Sequence, residues 1–285
     1  MKTVLVTGGK GQLAQCFEKL SKHYPDLDLL IMSSEEVDIT NKSALRQLFE
    51  AKKIDFCINC AAYTNVEKAE EEKEKAFLVN AKAARNLAAL CKVNDIVLIH
   101  FSTDYVFDGN SNTPYSEEDQ TNPINIYGSS KLKGEEYIKQ ECNNYFIFRT
   151  SWLYSEFGHN FFNTILRKAE ERTDLKITTS QTGTPTNAND LAEMVLDIID
   201  EDDTDFGLYH YSNEGEATWY DFALAILELS GKRDQVSLTK SNAYKTVAER
   251  PVYSVLNKKK FKNTFQLEVP HWKDSLKELI DSLDS

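Results

Sequence analysis

The feature that most constrains the fold of this chain is the way its N-terminal segment is built. Residues Thr3 to Thr7 are a short β-rich run that ends in the cluster Gly8-Gly9-Lys10-Gly11. Behind the cluster, Leu13, Phe17 and Leu20 recur at helical spacing. The segment therefore predicts a strand, a glycine turn and a helix in that order.

The same order of strand and helix continues through the first half of the chain. Apolar runs at 29–32, 55–60 and 96–102 alternate with amphipathic helices predicted at 44–51 and 76–93. Near-continuous apolar strands that alternate with helices are typical of a parallel sheet covered on both faces. We therefore predict an α/β fold with a doubly wound parallel sheet of the Rossmann type.

The second half of the chain is less regular. Helices are predicted at 160–171, 189–199, 219–229 and 273–283, and no Pro/Gly/Ser-rich linker separates the halves. We expect residues 1–150 to form a dinucleotide-binding domain, to which later segments return. Residues 151–285 are expected to form mainly a smaller mixed α/β part that binds substrate.

Composition excludes several classes of function. Lys and Arg number 33 against 45 Asp and Glu, a net charge of −12, which disfavours a nucleic-acid partner. Apolar stretches fall short of the ~20 residues of a membrane span, and the N-terminus lacks the pattern of a secretory signal, so we expect a cytoplasmic protein with no membrane partner.

The cysteines and charge runs point to no metal chemistry. Cys57 and Cys60 are the only close pair among the five cysteines, and they fall in a predicted strand. Neither a redox motif nor a zinc site is therefore favoured, and we predict no metal site. The mixed charge run at 67–75 is interpreted as a solvated helical face.

The glycine turn indicates a nucleotide site. Gly8 and Gly11 suit a tight turn before a helix N-terminus, where backbone N–H groups can bind a pyrophosphate, and Ala14 stands where a third glycine would allow close packing. After the second predicted strand, Ser33 and Ser34 provide neither an acid for an adenosine 2′-hydroxyl nor an arginine for a 2′-phosphate. The choice between NADH and NADPH as cofactor therefore stays open.

A second group of residues indicates acid–base chemistry. Tyr127 and Lys131 are four residues apart, on one face of a helix that begins near Tyr127. A fixed positive charge close to a phenol lowers its pKa and makes it a usable proton donor. Thr103 follows a predicted strand, at the sheet edge where doubly wound folds bind ligands, and could hydrogen-bond the same substrate oxygen as Tyr127.

These features together resemble the extended short-chain dehydrogenase/reductase superfamily, and within it the dTDP-4-dehydrorhamnose reductase family. The resemblance spans nearly the whole chain. The passages that carry it are Ala61 to Glu70, Ser102 to Gly109, Pro123 through Tyr127 to Glu135, Arg149 to Tyr154, Gly183 to Thr186, and Arg250 to Leu256.

The resemblance implies an NAD(P)H-dependent reductase. It would reduce the C4 keto group of dTDP-4-dehydro-6-deoxy-L-mannose to dTDP-L-rhamnose, the last step of dTDP-rhamnose synthesis, with hydride from the nicotinamide and a proton from Tyr127. The implied catalytic residues are Thr103, Tyr127 and Lys131. The implied cofactor-binding residues are Gly8, Gly11, Gln12, Leu13, Asp38, Ile39, Ala61, Ala62, Tyr63, Ser102, Tyr127 and Lys131. The implied substrate-binding residues are Thr103, Asp104, Tyr105 and Trp152.

The resemblance also raises the question of a metal. Some family members dimerise around magnesium through glutamates, but Cys16 and Asn189 stand at the matching places here, which disfavours such a dimer. A monomer and a homodimer both stay open.

Two other functions compete with the reductase. A nucleotide-sugar dehydratase or epimerase would share the fold and the Tyr/Lys pair, but the related dehydratases carry an Asp-Glu pair where this chain has Asp104-Tyr105. A non-catalytic regulatory subunit, like that of methionine adenosyltransferase, would need none of the three catalytic residues. The presence of all three favours an enzyme.

Overall fold

A computed structural model describes residues 1–242 and 246–283 of the chain. The strands, in chain order from β1 to β12, are Lys2–Thr7, Leu27–Met32, Phe56–Asn59, Val97–Thr103, Tyr145–Thr150, Leu153–Tyr154, Leu175–Thr178, Thr182–Gly183, Thr186–Asn187, Gly207–His210, Ala217–Thr218 and Leu238–Ser241. The helices, from α1 to α11, are Gln12–Leu20, Lys42–Ala51, Val66–Ala69, Lys73–Phe77, Ala84–Val93, Ile126–Glu141, Phe161–Glu170, Ala188–Asp200, Trp219–Leu229, Lys259–Phe265 and Trp272–Leu283.

A parallel sheet organises the chain. Within the described residues it has six strands in the order β2-β1-β3-β4-β5-β10, and every neighbouring pair is parallel. The order runs outward in both directions from β1, as in a doubly wound sheet. The predicted fold class is therefore confirmed. The register places Thr103 of β4 opposite Thr150 of β5, so both strands end at the same level.

Helices cover both faces of this sheet because successive strand residues point to opposite sides. Val4 and Val6 pack in one buried cluster with Phe17 of α1 and with residues of α8. Leu5, between them, packs in a second cluster with Leu45 of α2 and with residues of α5. Fully buried apolar strands are what a sheet covered on both faces requires.

The second half of the chain has a core of its own, formed mainly by α7, α9 and α11 around the buried residues Phe162, Phe222 and Trp272. The strand β10 and the helix α8 nevertheless belong to the central sheet and its covering layer. A domain boundary near residue 150 stays a prediction. Over residues 1–242 and 246–283, no helix is long and apolar enough to cross a membrane.

Candidate active site

The turn after β1 packs closely against the backbone that follows β3. Gly8 has a φ of +73°, and a Cβ built on it would lie 2.7 Å from the backbone nitrogen of Ala61. Gly11 is the N-cap of α1 and makes no side-chain cap. The first N–H groups of the helix are therefore not capped by that residue, as a pyrophosphate site requires.

A cavity of about 300 Å³ opens beside this turn. Six of the predicted cofactor residues line it, namely Gly8, Gly11, Asp38, Ile39, Ala61 and Ala62. The sequence-based reasoning did not assign the other lining residues, which are Lys10, Ser34, Val37, Thr40, Cys60 and Val79.

The remaining predicted cofactor residues lie outside the lining of this cavity. Gln12 accepts a hydrogen bond from the amide of Asn160 at 2.5 Å, and Leu13 is buried in the core. Ser102 donates to the buried carboxylate of Glu135 at 2.5 Å. The hydroxyl of Ser102 is thus engaged within the protein.

Charged and polar groups follow β2, on the side of the cavity that Ser34 lines. The carboxylate of Glu36 accepts hydrogen bonds from the backbone and the hydroxyl of Ser33, both at 2.8 Å, and these bonds lower its pKa. Lys10 and Glu35 form an ion pair, and both side chains are well exposed. A basic group that lines the cavity is therefore paired with an acidic group.

The predicted helix at 76–93 contains a π-helical turn over Leu78–Ala83. Within this turn, buried Asn80 accepts from the backbone N–H of Tyr63 at 2.8 Å and donates to the hydroxyl of Ser130 on α6 at 2.9 Å. Asn80 thus fastens the segment that bears Ala61, Ala62 and Tyr63 to α6. Short π turns are frequent at functional sites, but no sequence pattern used here detects one.

Helix α6 begins at Ile126, as the catalytic hypothesis required, because Asn125 caps it through a hydrogen bond from the backbone N–H of Gly128 at 2.7 Å. A Cβ on Gly128 would lie 2.1 Å from the carbonyl oxygen of Tyr105. Only glycine lets the first turn of the helix approach the end of β4 this closely.

This approach brings Tyr127 and Thr103 together. The Thr103 hydroxyl donates to Oδ1 of Asp104 at 3.0 Å, and the rings of Tyr127 and Tyr105 meet edge to face at 5.9 Å. Burial raises the pKa of Tyr127 above its ordinary value, and the nearby Thr103 hydroxyl opposes that shift. The resting phenol is therefore protonated at neutral pH, in the form of a proton donor.

Lys131 lies one helical turn further along α6 and is nearly fully buried. Its ammonium donates to the carbonyl oxygen of Phe101 at 2.5 Å and lies 3.5 Å from Nε2 of His100. Burial lowers the pKa of Lys131 to about 8, while Glu135 and Cys60 act in the opposite direction. A lowering of the Tyr127 pKa by Lys131, as the sequence suggested, is not seen here because burial dominates at the phenol.

The predicted substrate residues Asp104 and Tyr105 are both buried. Burial raises the pKa of Asp104 to about 6 and that of Tyr105 to about 12. The charge of the nearby Arg250 opposes the shift at Tyr105, and Nη2 of Arg250 donates to Glu67 at 2.8 Å. The interpretation of the 67–75 run as a solvated face is wrong for Glu67, because this carboxylate binds the 247–250 segment.

Trp152 stands two residues beyond Thr150, in the left-handed region with a φ of +45°. Its indole stacks on that of Trp219 and lies so close to Gly183 that a Cβ there would be 2.7 Å from the ring. The sequence-based reasoning assigned no role to Trp219, which begins the predicted helix at 219–229.

Cys16 and Asn189, which stand where some family members have magnesium-binding glutamates, do not fit a metal ion here. Burial raises the pKa of the Cys16 thiol to about 12, and Asn189 donates to the carboxylate of Glu156 at 2.9 Å. In the described part of the chain, no group of three or more His, Cys, Asp or Glu side chains could hold a metal ion.

The order of the strands in the sheet and the cleft beside the glycine turn define the class of protein. It is a Rossmann-type nucleotide-binding enzyme. The chain belongs to the RmlD substrate binding domain family, whose model matches residues 1–285. This confirms the resemblance described above.

Individual relatives agree with the family match. A dTDP-4-dehydrorhamnose reductase of Sinorhizobium fredii is 36% identical, over 98% of this chain and 96% of the relative. The crystal structure of a dTDP-4-dehydrorhamnose reductase from Clostridium acetobutylicum has a TM-score of 0.93 and 38% identity, over 99% of this chain and all of the other. That of the dTDP-4-dehydrorhamnose reductase from Bacillus anthracis, in complex with NADP, also has a TM-score of 0.93, with 35% identity over 99% of both chains.

Proposed function

We propose that this chain is an NAD(P)H-dependent oxidoreductase that reduces the C4 keto group of dTDP-4-dehydrorhamnose to give dTDP-L-rhamnose. The family match covers the whole chain, and relatives named for this reaction share its length. The observation that carries the proposal is the protonated Tyr127 phenol beside Thr103, at the carboxyl edge of a sheet whose glycine turn opens on a cleft.

The residues of the cleft fit a nicotinamide dinucleotide. Gly8 and the α1 N-terminus suit its pyrophosphate, and Asp38 and Ile39 suit its adenosine. When bound, NAD(P)H supplies the hydride. Lys131 is the residue that would hold the nicotinamide ribose, since its buried ammonium lies behind Tyr127 on the same face of α6.

Tyr127 and Thr103 then act on the keto oxygen. As the C4 carbon gains hydride, its oxygen gains negative charge and takes the phenolic proton of Tyr127. The Thr103 hydroxyl, which donates to Asp104 in the structure, is proposed to turn its proton to the same keto oxygen when substrate binds. Trp152 is proposed to contact the sugar nucleotide through the part of its indole that Trp219 leaves uncovered.

The structure gives a reason to disfavour the dehydratase alternative. Elimination of water uses the Asp-Glu pair of the related dehydratases, and Tyr105 occupies the second of these positions here. Burial raises the pKa of this phenol to about 12, although the charge of Arg250 opposes that shift. Tyr105 therefore cannot take the part of a carboxylic acid.

Several finer points stay predictions. They are the choice between NADH and NADPH, the role of each site residue, a monomeric or homodimeric state, and a cytosolic location.

The test is to incubate the purified protein with NADPH and dTDP-4-dehydrorhamnose and to identify the sugar product. We expect NADPH oxidation that matches dTDP-L-rhamnose formation one to one, and its loss in Tyr127→Phe. Cofactor binding without turnover of this substrate would favour a binding subunit, and a different product would favour another nucleotide-sugar enzyme.

A further inference from the structure

Helix α6 carries a third charged or titratable side chain in line with the proposed catalytic pair. Tyr127, Lys131 and Glu135 follow one another at spacings of four residues, which places them along one face of the helix. Glu135 is completely buried, with a relative exposure of 0%. A buried carboxylate is unfavourable unless it is paired and hydrogen-bonded, so its partners indicate why it is there.

Both oxygens of Glu135 are occupied by partners on the central sheet. The Arg149 guanidinium donates twice, from Nε to Oε1 at 2.9 Å and from Nη2 to Oε2 at 2.7 Å. The hydroxyl of Ser102 donates to Oε1 at 2.5 Å. Lys139, on the same helix, lies 3.9 Å from Oε2 and is more exposed. Two-point binding of this kind fixes both the distance between the carboxylate and the guanidinium and their relative orientation.

These partners hold the strands that end at the active site. Ser102 immediately precedes Thr103 on β4, and Arg149 immediately precedes Thr150, which is opposite Thr103 on β5. Arg149 is itself supported by His210 of β10, whose Nε2 lies 3.4 Å from Nη1. Burial and Arg149 lower the pKa of His210, so this imidazole is neutral and can accept from Arg149.

The surroundings of Lys131 contain little else that is negative. The groups that face it are the carbonyl oxygen of Phe101, the imidazole of His100, the thiol of Cys60 and the carboxylate of Glu135. Burial and Lys131 keep His100 neutral, and burial raises the pKa of Cys60, so the thiol is uncharged. Glu135, which the Arg149 guanidinium binds at both oxygens, is thus the carboxylate among the groups that act on Lys131.

We propose that Glu135 is a positioning residue for Lys131. It fastens α6 to the ends of β4 and β5, and it supplies the negative charge that keeps the buried ammonium of Lys131 protonated. The inference rests on the proposed function, because it assigns Lys131 a part in binding the nicotinamide ribose and in the reaction.

The rival explanation is that the Glu135–Arg149 pair only stabilises the fold. Removing one partner of a buried pair leaves an unpaired charge and destabilises a protein, whereas replacing both by apolar residues of similar volume is often tolerated. A double variant, Glu135→Met with Arg149→Met, therefore separates stability from electrostatics.

The experiment measures the pH dependence of kcat/KM, the NADPH dissociation constant and the melting temperature. It compares the wild type, Glu135→Gln, the double variant, and the control Glu141→Gln. Glu141 is also on α6 and pairs with Arg85 at 2.6 Å, but on the surface. We expect the alkaline limb of the profile to move down by about one pH unit in both Glu135 variants, a tenfold change in the proton equilibrium, and to stay in place in the control.

Lys131→Met, measured beside them, separates this inference from the proposed function. If Lys131→Met stays active, the role proposed for Lys131 is wrong. If Lys131→Met is inactive but the double variant folds and keeps the wild-type profile, the pair is structural and the inference about Glu135 is wrong. A double variant that does not fold would also overturn it, because the pair would then be needed for folding itself.

Discussion

The indole rings of Trp152 and Trp219 are stacked, with centroids 3.7 Å apart and planes 6° from parallel. One face of Trp152 is therefore covered by the protein, and a sugar nucleotide can use only what is left. An aromatic stack is worth about 0.5 to 1.5 kcal/mol beyond the area that it buries. We expect Trp152→Ala to raise the KM for the sugar nucleotide about two- to tenfold and to leave the NADPH dissociation constant unchanged.

Melting temperatures of the same variant separate binding from packing. If Trp152 only filled the core, its truncation would reduce the free energy of unfolding by about 3 to 5 kcal/mol with a normal substrate KM. Trp219→Ala is the matched comparison, because it exposes the covered face of the Trp152 indole and keeps the indole itself.

Replacing Tyr127 by Phe removes the proton donor and keeps the ring. Positioned acid catalysis contributes about 10² to 10⁴ in rate, so kcat should fall by that factor with little change in substrate affinity. Steady-state kinetics on the product-forming reaction give both values. A Tyr127→Phe enzyme with normal kcat would remove Tyr127 from the role of acid.

Lys131 makes activity sensitive to alkaline pH. Its pKa is lowered by burial to about 8, so the ammonium is present below that pH and is lost as the pH rises through it. We expect kcat/KM to decline above about pH 8, and Lys131→Met to weaken NADPH binding as well as kcat below that pH, where the wild type has the charge. A variant that lost only rate, with normal NADPH binding measured by fluorescence titration, would show that Lys131 does not hold the ribose.

Gly128 lets α6 reach the end of β4. Because a Cβ there would lie 2.1 Å from the backbone oxygen of Tyr105, Gly128→Ala must displace the first turn of the helix and with it Tyr127. We expect a lower melting temperature and a kcat reduced about tenfold or more. Gly231→Ala is the control, since nothing lies within 4 Å of its Cβ position and only its φ of +65° opposes the change.

We propose that cofactor preference depends on the ion pair of Lys10 and Glu35. The pair is neutral overall, and Ser34 beside it is uncharged, so kcat/KM for NADH and NADPH should agree within about tenfold, or 1.4 kcal/mol. Glu35→Gln should favour NADPH by freeing Lys10 for a 2′-phosphate, and Lys10→Met should favour NADH. A wild-type preference above about a hundredfold would mean that another residue reads the 2′ position.

Local patterns predicted many elements of this fold. The alternation of strands and helices in the first half, the helix at Trp219–Leu229 and the start of α6 beside Tyr127 follow from apolar periodicity and turn residues over a few neighbouring positions. The glycine turn was predicted in the same way, whereas the cleft residues that follow β2 and β3 were expected from the family resemblance.

Contacts between distant segments could not be predicted in the same way. Glu67 and Arg250 are 183 residues apart, and the stacking of Trp152 on Trp219 depends on how the two halves of the chain pack. In the sequence, nothing distinguishes Glu135 from the other charged residues of a polar helix. Its partners Ser102 and Arg149 are brought to it by the register of β4 and β5. Such pairs depend on topology and register, which residue spacing alone does not determine.

The outer strand β10, at 207–210, also has a consequence for how the protein is made. A nascent chain released only as far as Thr150 presents β5 as an open edge, with unpaired backbone groups beside the large apolar side chains of Phe146 and Phe148. At a synthesis rate of about 5 to 20 residues per second, that edge stays unpaired for several seconds until β10 leaves the ribosome. Ribosome-bound chaperones are thus expected to crosslink to β5 in chains stalled before residue 207, and to release it once β10 is free to pair.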